Sequence, residues 1–392
     1  MQTIRLHLVR PLRPRDPEEN HRVATPLELF TDLCFVVAIA QAASSFHHEI
    51  SHDHLLDGAI SFAMAFWAIF WAWLNFTWFA SAYDNDDVAY RSLTLLQIAG
   101  SLVLAAGVPA LFDGDLVLVV IGYVIMRIAL VIQWLRAARN DPRCRVTALR
   151  YAVGIVVMQC CWIALLFFPE GLLIPAFMVF VIGEIAVPAF AERAAGTPWH
   201  PEHVAERYSL LFIIVLGETI LSSTVAIQQS LDAGAAATEL VEVIAGGILV
   251  VFSLWWLYFS RNDSEVLRGR SNAANMAWGF GHYFIFASAA AIGAGLAARV
   301  DYYTDHSEVS GIASAYTIAV PVAVLLCGLY YLRLRQHDRT WRTVTPIFAA
   351  ALLVLVVAAL PAPELFIGIV LVGLVVTELL NPEGVGQEYA AG

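Results

Sequence analysis

The sequence predicts an all-α, polytopic membrane bundle of about 12 transmembrane helices arranged as two parallel six-helix repeats, and three observations predict it. Hydrophobic residues make up 59% of the chain, charged residues only 14%, and mean hydropathy is +0.70, far from the roughly 25% charged usage of soluble domains. Apolar stretches close to bilayer-crossing length recur along the whole chain. Arginines gather in every second connection between them, the bias that marks cytoplasmic loops.

The first residues, MQTIRLHLVRPLRPRDPEENHR, are basic but lack the continuous apolar core of a signal peptide. Residues 1–27 therefore read as a cytoplasmic tail, and the first helix inserts itself. Spans are expected at about 28–48, 58–83, 91–112, 116–136, 148–168, 171–190, 207–229, 239–260, 273–298, 312–333, 343–361 and 364–380, before a short tail at 383–392. Arg5 to Arg22 lie in the first tail, Arg91 follows the second span, and Arg136, Arg139, Arg143 and Arg145 follow the fourth. Arg193 follows the sixth, Arg261, Arg268 and Arg270 the eighth, and Arg333, Arg335, Arg339 and Arg342 the tenth. The intervening loops (HHEISHDHLLD, FDGD, PEG, SLDAGAAATE, PAPE) hold none, with Arg299 the one exception. This alternation predicts a membrane protein with both termini on the cytoplasmic side.

All the basic residues are arginines, and the net charge is −11. Acidic groups crowd the loops and tail, and no basic stripe tracks a nucleic-acid backbone, so nucleic acid is set aside. Cys34, Cys144, Cys160, Cys161 and Cys327 fall mostly in apolar runs, where a thiol behaves as a small hydrophobe and not as part of a disulfide framework. The lipid bilayer is the one partner composition names. No cofactor and no oligomeric state follow from it.

The chain also resembles itself. ELFTDLCFVVAIAQ from Glu28 pairs with ERYSLLFIIVLGET from Glu206, and WAWLNFTWFASAYDND around Trp73 with FSLWWLYFSRND around Trp255. IQWLRAARNDPRCR from Ile132 pairs with LYYLRLRQHDRTWR from Leu329, and IGEIAVP from Ile182 with VTELLNP from Val376. Offsets of roughly 180–200 residues in one order suit a duplicated six-helix unit, with repeats at 28–200 and 201–382. Six is even, so the copies enter the membrane in the same direction.

TPLELFTDLCFVVAIAQ, FWAIFWAWLNFTWFASAYDNDD, HVAERYSLLFIIVLGETI, the WWLYF run at Trp255 and GHYF at Gly281 stand in the order that resembles the bacterial low temperature requirement A (LtrA) family. The resemblance covers nearly the whole chain. The opening motif usually reads ELFFDL, and Thr31 stands here for an aromatic. The resemblance implies a bacterial multi-pass membrane protein linked to growth in the cold and names no substrate.

Ionisable residues inside spans supply the candidate site, because each is costly in lipid and faces a bundle interior or cavity. Glu28 and Asp32 are four apart, on one helix face. Two like charges there favour sharing a proton unless a cation neutralises them. Arg127, deep in the fourth span with Tyr123 one turn away, is one candidate cation; Arg207, at the mouth of the seventh, is another. The pair reads either as a polar site for a proton, ion or small polar solute, or as an interhelical ion pair that sets packing. Glu206 joins this set as the repeat counterpart of Glu28.

Glu218, in LGETILSST, has Ser222 one turn along, with Gly217 open to a neighbouring backbone. Glu184 and Glu378 each precede a proline, Pro188 or Pro382, by four residues, which makes either a cation-friendly notch or a helix end at the interface. His282, with Trp278 one turn before it, is a proton relay or a packing residue, and its counterpart is Gln97.

Two histidine clusters lack metal-site spacing: HHEISHDH (His47, His48, His52, His54) reads as a solvated loop, and HPEHVAER (His200, His203, Glu206) is not HExxH. No metal site is assigned. YDNDD, from Tyr83 to Asp87, reads first as helix capping and then as a cation-binding mouth. Trp67, Trp71 and Trp78 fit a packed or lipid-facing stripe.

Two function classes follow. One is a secondary transporter or permease with its site between the two halves, lined by Asp32, Arg127, Glu218 and His282. The alternatives are a membrane sensor, an intramembrane enzyme involved in cold adaptation using the same groups, or a non-transporting scaffold.

Overall fold

The structure, a computed structural model, describes residues 9–16, 19, 22–232, 234, 237–261, 264–268, 270–334 and 341–380. Arg5, Arg335, Arg339, Pro382 and the expected tail at 383–392 lie outside them. The helices are α1 (Pro26–Ser51), α2 (Leu55–Tyr83), α3 (Val88–Phe112), α4 (Val117–Asn140), α5 (Arg145–Leu165), α6 (Glu170–Ala191), α7 (Pro201–Asp232), α8 (Ala237–Phe259), a short α9 (Ser264–Arg268), α10 (Asn272–Tyr303), α11 (Gly311–Leu329, running into a π-turn at Tyr330–Leu334), α12 (Trp341–Val357) and α13 (Pro363–Leu379). No strand occurs among the described residues.

Every expected span emerges as a helix, and ten are long and apolar enough to cross a membrane. The last two, α12 and α13, have 17 residues each and rise about 25 Å, at the lower limit for crossing.

Several boundaries differ from expectation, and three of them change how a named residue reads. The seventh helix begins at Pro201, not near 207, because proline suits a first helical position; Arg207 therefore lies inside the helix and not at its mouth. The first helix continues to Ser51, which puts His47 on a helix and not in a solvated loop. The tenth extends to Tyr303 and takes in Arg299.

The chain divides into two compact units, one of residues 1–38 and 68–208, the other of 39–67 and 209–392. In the first, α3 and α4 approach closely at glycines: a Cβ on Gly100 would stand 2.8 Å from the Gly122 carbonyl oxygen. An aromatic core of Phe79, Tyr83, Trp134 and Tyr151 fills the end near the α2–α3 loop, with Trp134 and Tyr151 stacked at 4.2 Å. The capping reading of YDNDD holds at Asp87. Its carboxylate accepts the Tyr90 amide at 2.6 Å, the Arg10 amide at 2.7 Å and the Arg136 guanidinium at 2.6 Å.

In the second unit, α10 carries a run of buried residues from Ser288 to Ala298, all small except Ile292 and Leu296. A Cβ on Gly295 would stand 2.7 Å from the Thr317 carbonyl oxygen of α11. Arg299, the exception to the arginine alternation, is buried here. It donates to Glu364 at 3.3 Å, Ser314 Oγ at 2.8 Å and the Tyr303 hydroxyl at 2.6 Å. Its place follows from this pairing and not from membrane sidedness. His47 and Ser51 both bond Asp301, each at 2.7 Å.

Asp87→Ala removes an N-cap, worth about 1 kcal/mol, together with the bonds that Arg10, Arg136 and Asn85 make to the same buried carboxylate. The variant is expected to lose about 2–3 kcal/mol, read as a lowered unfolding midpoint in detergent.

Candidate functional site

The first turns of α1 and α7 are built alike. Thr25 precedes Pro26, and Thr25 and Glu28 form a capping box: the Thr25 amide donates to Glu28 Oε2 at 2.8 Å, and the Glu28 amide donates to Thr25 Oγ1 at 3.3 Å. His200 precedes Pro201, and its Nδ1 accepts the His203 amide at 3.3 Å, an imidazole doing what a serine or threonine cap does. His200 Nε2 then donates to the Glu19 carbonyl at 2.7 Å. Glu28 and His203 thus occupy the same cap-relative position, and Asp32 and Arg207 lie one turn further along. By cap position Glu28 matches His203, three residues off the register that aligns it with Glu206.

These four side chains meet. Arg207 grips Asp32 with two bonds, Nη2 to Oδ1 at 2.5 Å and Nε to Oδ2 at 3.2 Å, the bidentate geometry that suits a guanidinium. Trp73 Nε1 donates to the same Oδ1 at 2.7 Å. Glu28 Oε1 lies 3.1 Å from both His203 Nε2 and Arg207 Nη1, without hydrogen-bond alignment, and His203 Nε2 is 3.3 Å from Oε2. All four residues are fully buried. Glu28 Oε1, His203 Nδ1 and Arg207 Nη1 have no hydrogen-bond partner among the described residues. Glu206 is half-buried and accepts the Ala24 amide at 3.2 Å.

The quartet extends outward. Arg22 donates to the carbonyls of Ser81 and, at 2.8 Å, of Ala80; burial lowers its pKa from the usual arginine value. Asp84, just past α2, is buried, and burial, with the charge of Glu28 adding to it, pushes its carboxyl up to about 6. Tyr90 lies within electrostatic reach of Glu28, Arg207, Asp84 and Arg22.

The other candidates go elsewhere. Arg127, the alternative cation for the α1 carboxylates, instead pairs with Glu184 at 3.4 Å and donates to the Tyr123 hydroxyl at 2.6 Å. Glu184 also accepts the indole N–H groups of Trp71 at 2.8 Å and Trp162 at 3.0 Å. It is buried mid-helix, so the helix-end reading is corrected: Pro188 sits inside α6, and Glu184 is an ion-pair hub. Trp71 is likewise a buried donor and no lipid-facing stripe. In the second unit, Glu218 accepts Ser222 Oγ at 2.8 Å, and no atom approaches the Cβ position of Gly217, so the expected close backbone is not there. His282 Nδ1 donates to the Trp278 carbonyl at 2.7 Å, within rings of Trp278, Tyr258 and Phe286. Gln97, the position expected from the sequence to match it, donates to Gln133 at 2.9 Å.

His203 is the member that reading for metal ligands passed over. The legible signals were Thr-Pro-x-Glu and His-Pro-x-His, two proline-led helix starts.

Removing one partner of a buried pair costs about 3–5 kcal/mol. Asp32→Asn and Arg207→Met are each expected to destabilise by this order, and the double variant by clearly less than their sum; additivity in a double-mutant cycle would contradict the pairing. Asp84 gives a pH test. Its folded pKa is raised, so its stabilising contribution is present below about pH 4 and lost as pH rises through about 6. Asp84→Asn is expected to flatten the stability profile between pH 4 and 6 and to stabilise the protein at pH 7.

Over 241 residues the chain is 27% identical to an uncharacterized protein of Rhizobium meliloti (strain 1021). That stretch covers 59% of this chain and 57% of the relative, less than two thirds of its length. A longer match, to the bacterial low temperature requirement A protein (LtrA) family, spans residues 23–379 and takes in every helix from α1 to α13. With the capped starts of α1 and α7, the three buried arginine–carboxylate pairs of Arg127, Arg207 and Arg299 and the ten apolar helices all inside the matched region, this multi-pass membrane chain belongs to the bacterial low temperature requirement A protein (LtrA) family.

Proposed function

We propose that the chain is a secondary transporter of the bacterial cytoplasmic membrane, moving a small polar solute or ion, with the Glu28–Asp32–His203–Arg207 quartet as its proton-binding centre. The carrying observation is the charge inventory of that quartet. Two carboxylates face one guanidinium in a fully buried cluster, so the quartet by itself is neutral only with one more proton, and His203 in contact with Glu28 is a place to hold it. A buried group that must gain or lose a proton as its surroundings change is the usual coupling element of proton-linked transport. The misaligned Glu28–Arg207 contact supports this reading, since a clamp built only for packing would use those donors.

Parallel duplication, with both termini inside, belongs to the same proposal. Its support is that Arg136, ending α4, binds Asp87 in the loop after α2, while Arg333, ending the α11 π-turn, donates to the Arg261 carbonyl just after α8 at 2.9 Å. In each half the fourth helix reaches back to the end of the second.

A scaffold reading is favoured by one specific observation, the three satisfied bonds on Asp32. Proteoliposomes loaded with pyranine, given an imposed pH gradient and a panel of small polar solutes and ions, separate the two. Wild type is expected to show solute-dependent proton flux, and Asp32→Asn and His203→Gln to lose at least tenfold of it while remaining folded. Equal flux in all three would leave the quartet a structural clamp.

A further inference from the structure

A second feature lies on the outer face of α5 and α6 in the first unit. These helices are antiparallel neighbours, as shown at one end by Thr147 Oγ1 donating to the Ala195 carbonyl at 2.8 Å and Tyr151 donating to Glu192 at 2.9 Å. Between them runs an open groove of about 540 Å³. Its walls are apolar and open to the surroundings, with Val146, Val153 and Phe190 each more than half exposed. Gly154 and Gly183 also line it. The groove follows α5 from Val146 to Gly154, a rise of about 12 Å.

One charged side chain lines it. Arg150 lies over the Phe190 ring at 4.4 Å and donates Nη1 to the Phe190 carbonyl at 3.1 Å. A guanidinium has five donors in a fork that matches phosphate oxygens, and one of them is used among the described residues. Arg143, Arg145 and Arg193 stand exposed at the same end, where α5 begins and α6 finishes. Two carboxylates at this end are already engaged: Glu192 by Tyr151 and Thr197, and the buried Asp141 by Tyr83 and the Arg143 and Cys144 amides.

We propose that this groove is a binding site for an anionic phospholipid, with an acyl chain along α5 and α6 and the headgroup phosphate on Arg150, assisted by Arg143, Arg145 and Arg193. The charge complementarity selects this occupant: an apolar channel at membrane depth ending in an arginine cluster is what a negatively charged lipid presents in mirror image. A second groove, about 340 Å³ between α7, α8 and α10, provides the internal contrast. It is lined by Ile227, Ile244, Ile248 and Phe252 with threonine and serine hydroxyls, and no charged side chain lines it. It has nothing with which to select a headgroup.

The test is native mass spectrometry of the full chain in neutral detergent with equal phosphatidylglycerol and phosphatidylcholine. Wild type is expected to retain phosphatidylglycerol with at least fivefold preference. Arg150→Gln is expected to bring that preference close to one, Arg150→Lys to keep part of it, and Val153→Trp, a lipid-facing change that fills the groove, to remove the bound lipid. Ile248→Trp, in the second groove, should leave the preference unchanged. Equal retention of both lipids by wild type, unchanged preference in Arg150→Gln and Val153→Trp, or full competition by inorganic phosphate would each overturn the proposal. So would a dimer in place of bound lipid, since a second copy would then cover this face.

Discussion

A bilayer interior leaves a charge without water, so each buried charge must find its partner within the protein. Arg207, Arg127 and Arg299 meet this constraint in the same way. Each binds a carboxylate from another helix and lies against an aromatic ring: Asp32 and Phe76, Glu184 and Tyr123, Glu364 and Tyr303. These pairs tie α7 to α1, α4 to α6 and α10 to α13. Helices in lipid gain little from hydrophobic association, so such ties, with close contacts at Gly100, Gly122 and Gly295, decide which helices are neighbours.

The three ties differ in how completely they are satisfied. Arg299 uses Glu364, Ser314 and Tyr303 together, which is how a packing device is built. Arg207 instead divides itself between two carboxylates, and only the one on Asp32 is well aligned. The surplus negative charge falls on Glu28, and His203 is positioned to compensate it. α2 supports both clusters of the first unit. Trp71 and Trp73, two residues apart and so on well-separated helix faces, send their indole N–H groups to Glu184 and Asp32.

Helix caps set this geometry. A proline at the first position fixes where α1 and α7 begin, which fixes the register of Glu28, Asp32, His203 and Arg207 along their helices. The same capping box makes Glu28 both a structural residue and a member of the candidate site. Its conformation is therefore held by the backbone it caps, a form of preorganisation that a side chain on a loop lacks.

Membrane class, family, the sequence of spans and the candidacy of Glu28, Asp32, Arg127, Glu184 and Arg207 were legible from the amino-acid sequence, because hydropathy and charge are properties each residue carries wherever it sits. Partner choice was not. Glu28 and Asp32 called for a cation, and Arg127 and Arg207 were both eligible; the start of α7 at Pro201 and the pull on Arg127 of Glu184, itself held by Trp71 and Trp162, decided between them. Arg299 looked like a break in the alternation of basic loops until α10 carried it to Glu364, 65 residues away. Pairing across helices depends on rotation and depth of each helix, and those are set by packing in three dimensions, which periodicity along one chain does not encode.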